Sequence, residues 1–272
     1  MKIYKMEDQI KHSYKLCYKF QPVDSRDYKY VAPEQAQGQG QEKVKAPVKA
    51  TPSIFSLRSK MAPILDQGDI GACVSNAYAL AISTMTLNKT RVNMSRLMNY
   101  AVTRVMTGDS IVNDGGLYVR DAAKCISRYG TCQESVWPYN VGKFCELPPL
   151  TAFQASKLFN NFIYTAVAQD LNSLKTCLTT KQVPIIFGFV VYSSFMTYAV
   201  AANGIVPMPN TTKEAVVGGH CTNIVGYDDT KQWFICANSW GTGWGDKGYF
   251  YMPYAYITNP NLASDFLFLT FT

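Results

Sequence analysis

The chain has 272 residues, 47% of them hydrophobic and 17% charged, enough for one large core or two modest lobes and too apolar for a disordered protein. Its formal charge is +7, with ten Lys/Arg against six Asp/Glu in the first fifty residues, so the body is only mildly basic. Basic and aromatic residues are not interleaved as in a nucleic-acid groove, and eight cysteines without a C-x-x-C pair, beside two histidines, argue against a structural zinc site.

Residues 1–30 are polar and tyrosine-rich and lack the apolar core of a secretory signal. Within them Ser25-Arg26-Asp27-Tyr28 forms a cluster suited to docking on a folded body. Residues 31–52 change to Pro, Gln, Gly, Ala and Lys, the composition of a flexible, protease-accessible linker. A segment over 54–64 then leads into the glycine-punctuated turn Asp66-Gln67-Gly68-Asp69-Ile70-Gly71-Ala72-Cys73. Val74, Ala77, Ala81, Ile82 and Met85 recur at three- and four-residue steps, which predicts a helix over 74–87 with Cys73 in its first turn. Unpaired N–H groups there favour negative charge, and with a cationic neighbour they lower a thiol from about 8.5 to roughly 3.5–7.5. On this stretch alone a buried core cysteine is an equally good reading. Further helices are expected over 97–106 and 117–129, the latter closed by Gly130, with a tight loop at Asn113-Asp114-Gly115-Gly116 between them.

After Pro148-Pro149 the sequence turns to β-branched and aromatic runs, which predict strands over 162–167, 185–192, 221–227, 233–237 and 248–252. The uncharged stretch 182–212 is long enough to cross a bilayer. It reads better as a buried strand followed by a short helix, capped by Ser193-Ser194 and ended by Asn203-Gly204. The expected organisation is an arm over 1–51, a helical lobe over 52–150 and a β-rich lobe over 151–272, with a cleft between the lobes. His220 opens a strand after Gly218-Gly219, where a structural role is the commoner reading of a lone histidine. Asn238 follows eighteen residues later, a hairpin's distance, so its side-chain carbonyl can accept a hydrogen bond from the imidazole. The run from Trp240 to Gly245 reads either as a packed turn or as a shield over that bond. A cysteine nucleophile needs a base, and the base needs a third group to hold its orientation and tautomer. Cys73, His220 and Asn238 supply those types.

In order and spacing these stretches resemble the papain family of cysteine peptidases, the cathepsin-like enzymes, over about residues 52–272. The resemblance is carried by Asp66-Gln67-Gly68 ahead of Cys73, by Gly115-Gly116, by Gly219-His220 with Val225-Gly226-Tyr227-Asp228, and by Asn238-Ser239-Trp240-Gly241 through Trp244-Gly245 and Gly248-Tyr249. It implies an α+β, papain-like two-lobed fold: a helical lobe and an antiparallel β-barrel-like lobe with the active-site cleft between them. It also implies Cys73 as nucleophile in a thiolate–imidazolium pair with His220, Asn238 orienting the ring, and the Gln67 side-chain amide with the Cys73 backbone N–H as oxyanion hole. Trp240 would cover the His–Asn pair and line the leaving-group side. Gly116, beside Gly115, would hydrogen-bond the substrate backbone. Leu117, Tyr118, Gly218, Gly219, Ala263, Ser264 and Asp265 are expected around the specificity pocket, whose apolar wall would suit a bulky hydrophobic P2 side chain and whose Asp265, if turned inward, would admit arginine. No metal or cofactor is required. The expected partners are a polypeptide substrate and the chain's own N-terminal segment as inhibitor, with no nucleic acid and no membrane, and the chain is expected to be a monomer.

The departures from the family pattern carry information. The usual Cys-Gly-Ser-Cys-Trp reads Ile70-Gly71-Ala72-Cys73-Val74, and Asn113 and Asp114 stand where the disulfide partner would be. Losing both ends together fits a cytoplasmic or virion-associated enzyme better than a secreted or lysosomal one, with apolar packing of Ile70 in place of the staple. The N-terminal arm is too short for a cathepsin L-like propeptide. It is expected to be a compact inhibitory prosegment lying in the cleft and cut between residues 38 and 49. With only His12 and His220 the family's paired-histidine occluding loop cannot form, which implies endopeptidase action. The compact, signal-less form resembles bacterial, archaeal or large-virus members. Two other classes stay open: a papain-fold binding module without proteolysis, and a peptide ligase or transpeptidase that resolves the same thioester with an amine.

Overall fold

The computed structural model describes residues 14–32, 51–86 and 93–272. The expected cleavage region at 38–49, His12 and the far end of the first helix lie outside the described residues.

The first helix, α1 (Cys73–Thr86), is buried almost throughout, as its run of alanines and small polar residues between Val74, Ile82 and Leu80 allows. It packs with α2 (Arg96–Met106), whose N-terminus is capped by the Ser95 side chain, and with α3 (Val119–Tyr129), closed by Gly130. Tyr78, Ile82, Leu97, Met98, Tyr100, Val119 and Ile126 fill the core of this lobe. Ile70 joins the same core, as expected from the sequence.

The second lobe is built on seven antiparallel strands, β1 (Ile54–Ser56), β2 (Phe162–Ala166), β3 (Ile185–Tyr192), β4 (Val216–Asp228), β5 (Trp233–Ala237), β6 (Tyr249–Pro253) and β7 (Ala263–Phe271). Their order is β2-β7-β3-β4-β5-β6, with β1 on β4, so the barrel-like lobe is an open sheet that does not close on itself. The long strand β4 explains the shape. Its first part, from Val216 to Ile224, pairs with β3, β1 pairs with it from Gly226 to Asp228, and β5 pairs with it from Asn223 to Asp228 across an irregularity at Ile224/Gly226. Exchanging partners at a bulge bends the sheet without shutting it. Strand β1 therefore joins the sheet although it precedes α1 in the chain.

Helices α5 (Leu171–Lys181), capped by Asp170, and α6 (Tyr198–Asn203), capped by Thr197, flank the sheet with the short α7 (Tyr254–Ile257), while α4 (Leu150–Ser156) follows the helical lobe. The uncharged stretch is thus a buried strand and a short helix, with Thr197 rather than Ser193-Ser194 as the cap of α6. No helix among the described residues is long and apolar enough to cross a membrane. Phe187, Phe189, Phe195, Phe234, Phe250, Trp240 and Trp244 form the second core. The lobes join where α1 lies on β4 and Asn223 Nδ2 donates to the Ala77 carbonyl at 3.1 Å.

Candidate active site

Cys73 opens α1 at the seam between the lobes. Its thiol receives the backbone N–H groups of Cys221, on β4 next to His220, of Val74 in its own helix, and of Cys17 from the N-terminal arm. His220 lies on β4, and its Nε2 is 2.8 Å from Asn238 Oδ1, just past β5. Asn238 Oδ1 also accepts the Ser239 N–H at 2.9 Å, which fixes the amide orientation. An oxygen only accepts, so Nε2 carries the proton and Nδ1 presents its lone pair. Among the described residues Nδ1 is buried without a hydrogen-bond partner. The Trp240 ring lies over the imidazole at 4.9 Å between centroids, as the shield reading expects.

Gln67 is fixed from both ends of its amide. Its Oε1 accepts from the Ser239 hydroxyl at 2.7 Å, leaving Nε2 to donate to the Ile70 carbonyl at 3.0 Å and to the Lys15 carbonyl at 3.3 Å. An amide held this way is a pre-aimed donor, and its present partner in the cleft is the arm.

Residues 14–32 of the arm occupy the cleft. The Tyr14 ring stacks on Trp240 at 4.5 Å, and its hydroxyl donates to the Trp240 carbonyl at 3.1 Å. Cys17 bridges to Gly219, the Tyr18 N–H donates to the Gly219 carbonyl at 3.0 Å, and the Lys19 N–H to the Leu117 carbonyl at 3.3 Å. Gly116, at φ +74°, admits this close approach, since a Cβ there would stand 1.8 Å from the Cys17 carbonyl oxygen. The Tyr18 side chain enters a pocket floored by Gly188, where a Cβ would lie 2.1 Å from its ring. Its hydroxyl meets Ser264 Oγ at 2.6 Å and donates to Asp265. Asp265 does point inward. Leu16 covers Gly218, Lys19 lies over the Tyr118 ring, and Gly115 stands at the rim near Lys19. The residues expected at the cleft thus surround the seated arm, except that Leu117 offers it only a backbone carbonyl, its side chain being buried in the core of the helical lobe.

With the arm seated, Cys73, Gln67 and His220 are each 0% exposed, and this burial sets the site's electrostatics. Loss of water pushes the Cys73 thiol up to about 12, against the pull of the three N–H groups. Burial likewise lowers His220 to about 4, against its bond to Asn238. Both shifts favour the neutral forms. Burial also raises the Asp265 carboxyl. All eight cysteines are unpaired, and among the described residues no group of three or more His, Cys, Asp or Glu is placed to hold a metal.

Sequence reasoning missed the arm's individual contacts. Lys15, Tyr18 and the buried pair of Asp27 with Arg120 on α3, at 2.7 Å, have no local signal beyond the tyrosine-rich composition and the 25–28 cluster.

A cleft between a helical and a sheet lobe, with a cysteine at a helix start and a histidine–asparagine pair across the seam, defines a cysteine-nucleophile hydrolase of the two-lobed type. The model of the papain family cysteine proteases matches residues 51–268, and the chain belongs to that family. It is 38% identical over 213 residues to an uncharacterized peptidase C1-like protein of Acanthamoeba polyphaga mimivirus, covering 74% of this chain and 68% of the viral one. It is 29% identical over 126 residues to a cathepsin B-like cysteine proteinase of Ostertagia ostertagi, covering 46% and 68% of the two chains. Among solved structures, xylellain, a cysteine protease from Xylella fastidiosa, superposes with a TM-score of 0.83 at 30% identity over the whole of both chains.

Proposed function

We propose that this papain-family protease is a cysteine endopeptidase made as a zymogen whose own arm closes the cleft. In the open enzyme, Cys73 gives its proton to His220 Nδ1 and attacks the scissile carbonyl. The oxyanion gathers on the Gln67 amide and the Cys73 backbone N–H, and His220 then protonates the leaving amine. Water, activated by the same ring, resolves the thioester. Asn238 keeps Nε2 protonated throughout, so Nδ1 is always the nitrogen that exchanges the proton. The observation that carries this reading is the His220 Nε2–Asn238 Oδ1 bond, with Nδ1 unclaimed beside the strand residue whose N–H meets the Cys73 thiol.

The arm supports the zymogen reading. A substrate would run from the Ser264/Asp265 pocket towards Trp240, whereas the arm runs from Trp240, at Tyr14, to that pocket, at Tyr18. Its reversed chain covers the thiol without presenting a peptide bond in the productive sense. A thiol-directed epoxide tests the proposal. The full chain should react slowly, a chain beginning at Thr51 should react at least tenfold faster and hydrolyse peptides, and Cys73→Ala should abolish both. Modification at another cysteine with Cys73 untouched would favour the binding-module reading. Aminolysis products from a competing amine, in excess of hydrolysis, would favour the ligase.

A further inference from the structure

The turn that delivers Cys73 is held from outside by a residue to which neither the sequence nor the proposed chemistry gives a role. Asp114 accepts the Gly71 backbone N–H on both carboxylate oxygens, at 2.9 Å each, and the Tyr100 hydroxyl from α2 on Oδ1. Its side chain is 8% exposed, and its remaining partner is Lys15 of the arm, at 2.8 Å. The loop that carries it is bolted in turn. The buried Arg104 of α2 donates to the carbonyls of Ile111, at 2.7 Å, and Asn113, at 3.2 Å, and also to Phe144. Inside the turn, the Gln67 amide and the Ala72 N–H, at 2.8 Å, both converge on the Ile70 carbonyl. The Ile70–Gly71 peptide unit is thus held on its carbonyl side from within the turn and on its N–H side, among the described residues, only by Asp114.

On the reading that Cys73 is the nucleophile, we infer that Asp114 is a positioning residue for catalysis: its carboxylate sets the turn that fixes the sulfur, the Cys73 N–H and the Gln67 amide relative to one another. It stands in the loop where the family places the partner of a disulfide to the position of Ile70, so a bidentate hydrogen bond does what a covalent staple would otherwise do. Apolar packing of Ile70 alone leaves the Gly71 N–H, the outward side of the same peptide unit, unsatisfied and held by nothing outside the turn. A misplacement of about 1 Å at such a distance from the chemistry costs on the order of 10²-fold in rate.

The experiment uses the full chain, nicked by limited proteolysis and separated from its arm, with active sites counted by titration so that misfolded protein does not enter the rate. Asp114→Ala should lower kcat about 10²-fold with KM within about twofold, and should slow alkylation of Cys73 by iodoacetamide. Asp114→Asn, which keeps an acceptor at the same distance, should recover to within about fivefold of the parent. Asp114→Glu keeps the charge but moves it by a methylene, and should stay at least tenfold impaired. If Asp114→Ala does not fold, the Asn–Glu comparison still decides. Equal kcat per titrated site in all variants, or Glu rescuing better than Asn, would overturn the inference. Alkylation is read without substrate, so Asp114-dependent alkylation in a protein that cleaves no peptide would refute the peptidase reading and leave the positioning role standing.

Discussion

Gln67 is the residue on which the substrate-like and inhibitor-like states of the cleft turn. Its Oε1 is held by the Ser239 hydroxyl and its Nε2 points into the cleft, where the Lys15 carbonyl now sits at 3.3 Å. In the open enzyme the same donor would meet the developing oxyanion. Replacing Gln67 by Ala should therefore lower kcat by about 10²–10³-fold with little change in KM, as measured on the arm-free enzyme. A proportional rise in KM instead would assign Gln67 to ground-state binding. Gln67, Cys73, His220 and Asn238 were legible because each sits in a short turn or hairpin whose chemistry is local: a glycine-rich turn into a helix, a strand start, and a partner one hairpin away. Asp265 was half legible. Its neighbourhood could be named, but its inward direction depends on a positive φ of 58° at the start of β7 and on a phenol 247 residues away. No window along the chain contains that information.

The arm behaves as an element with two separate anchors. One is the cleft segment from Tyr14 to Lys19. The other is a latch on the far side of the pocket, where Asp27 and Arg120 pair at 2.7 Å with 5% and 8% of their side chains exposed. There the Ala166 N–H donates to the Tyr28 carbonyl at 2.7 Å and the Tyr30 N–H to the Ala166 carbonyl at 2.8 Å, extending β2 by a parallel edge. Between the anchors Phe20 and Val23 are exposed over a cavity of about 490 Å³ lined also by Val31, Phe266 and Arg120. Two linked anchors raise each other's effective concentration, so a single cut beyond Ala32 should leave the arm in place. A peptide of residues 14–32 added to a chain beginning at Thr51 should inhibit it in trans, and Asp27→Ala in that peptide should weaken inhibition about 10²-fold, chiefly through koff. An unchanged inhibition constant would mean that the latch carries no affinity. Elements were legible where period and length agreed: α1, α2, β3 and β5 fall within a residue or two of expectation. Strand β7 has no counterpart among the expected strands, although Phe266-Leu267-Phe268-Leu269 is a continuous apolar run that fits a buried strand. Helix α5 was unread, since Leu171, Leu174 and Leu178 sit among threonines that suit a strand as well. The open sheet in place of a barrel was out of reach for a different reason: closure depends on where β4 changes partner, a property of pairing rather than of any strand's own sequence.

For the whole molecule, the proposed zymogen makes covering the cleft and silencing the chemistry one event. With the arm seated, burial holds Cys73 up at about 12 and His220 down at about 4, so the covered site stores a thiol and a neutral imidazole instead of an ion pair. In an open Cys73→Ala chain, where no thiolate pairs with the ring, the imidazole titrates near its ordinary value of 6.5. Between there and pH 4 the open form binds a proton that the covered form refuses, so the covered form is fully favoured above pH 6.5 and loses ground as the pH falls. Asp265 acts in the opposite sense at the acid end: its raised carboxyl takes up a proton sooner when covered, which favours the seated arm as the ordinary carboxylate range is approached. The histidine window opens first on acidification. The dissociation constant of the 14–32 peptide for a Cys73→Ala chain should therefore rise as the pH falls from 6.5 towards 4, by up to tenfold per unit, with Asp265 opposing the rise at the acid end. In the same Cys73→Ala background, His220→Gln should abolish the rise while binding at pH 7.5 changes little, because the glutamine is neutral at every pH. Titration of peptide binding by calorimetry across that range reads both quantities. A constant affinity, or a rise that persists in His220→Gln, would show that seating the arm does not depend on the charge of this ring.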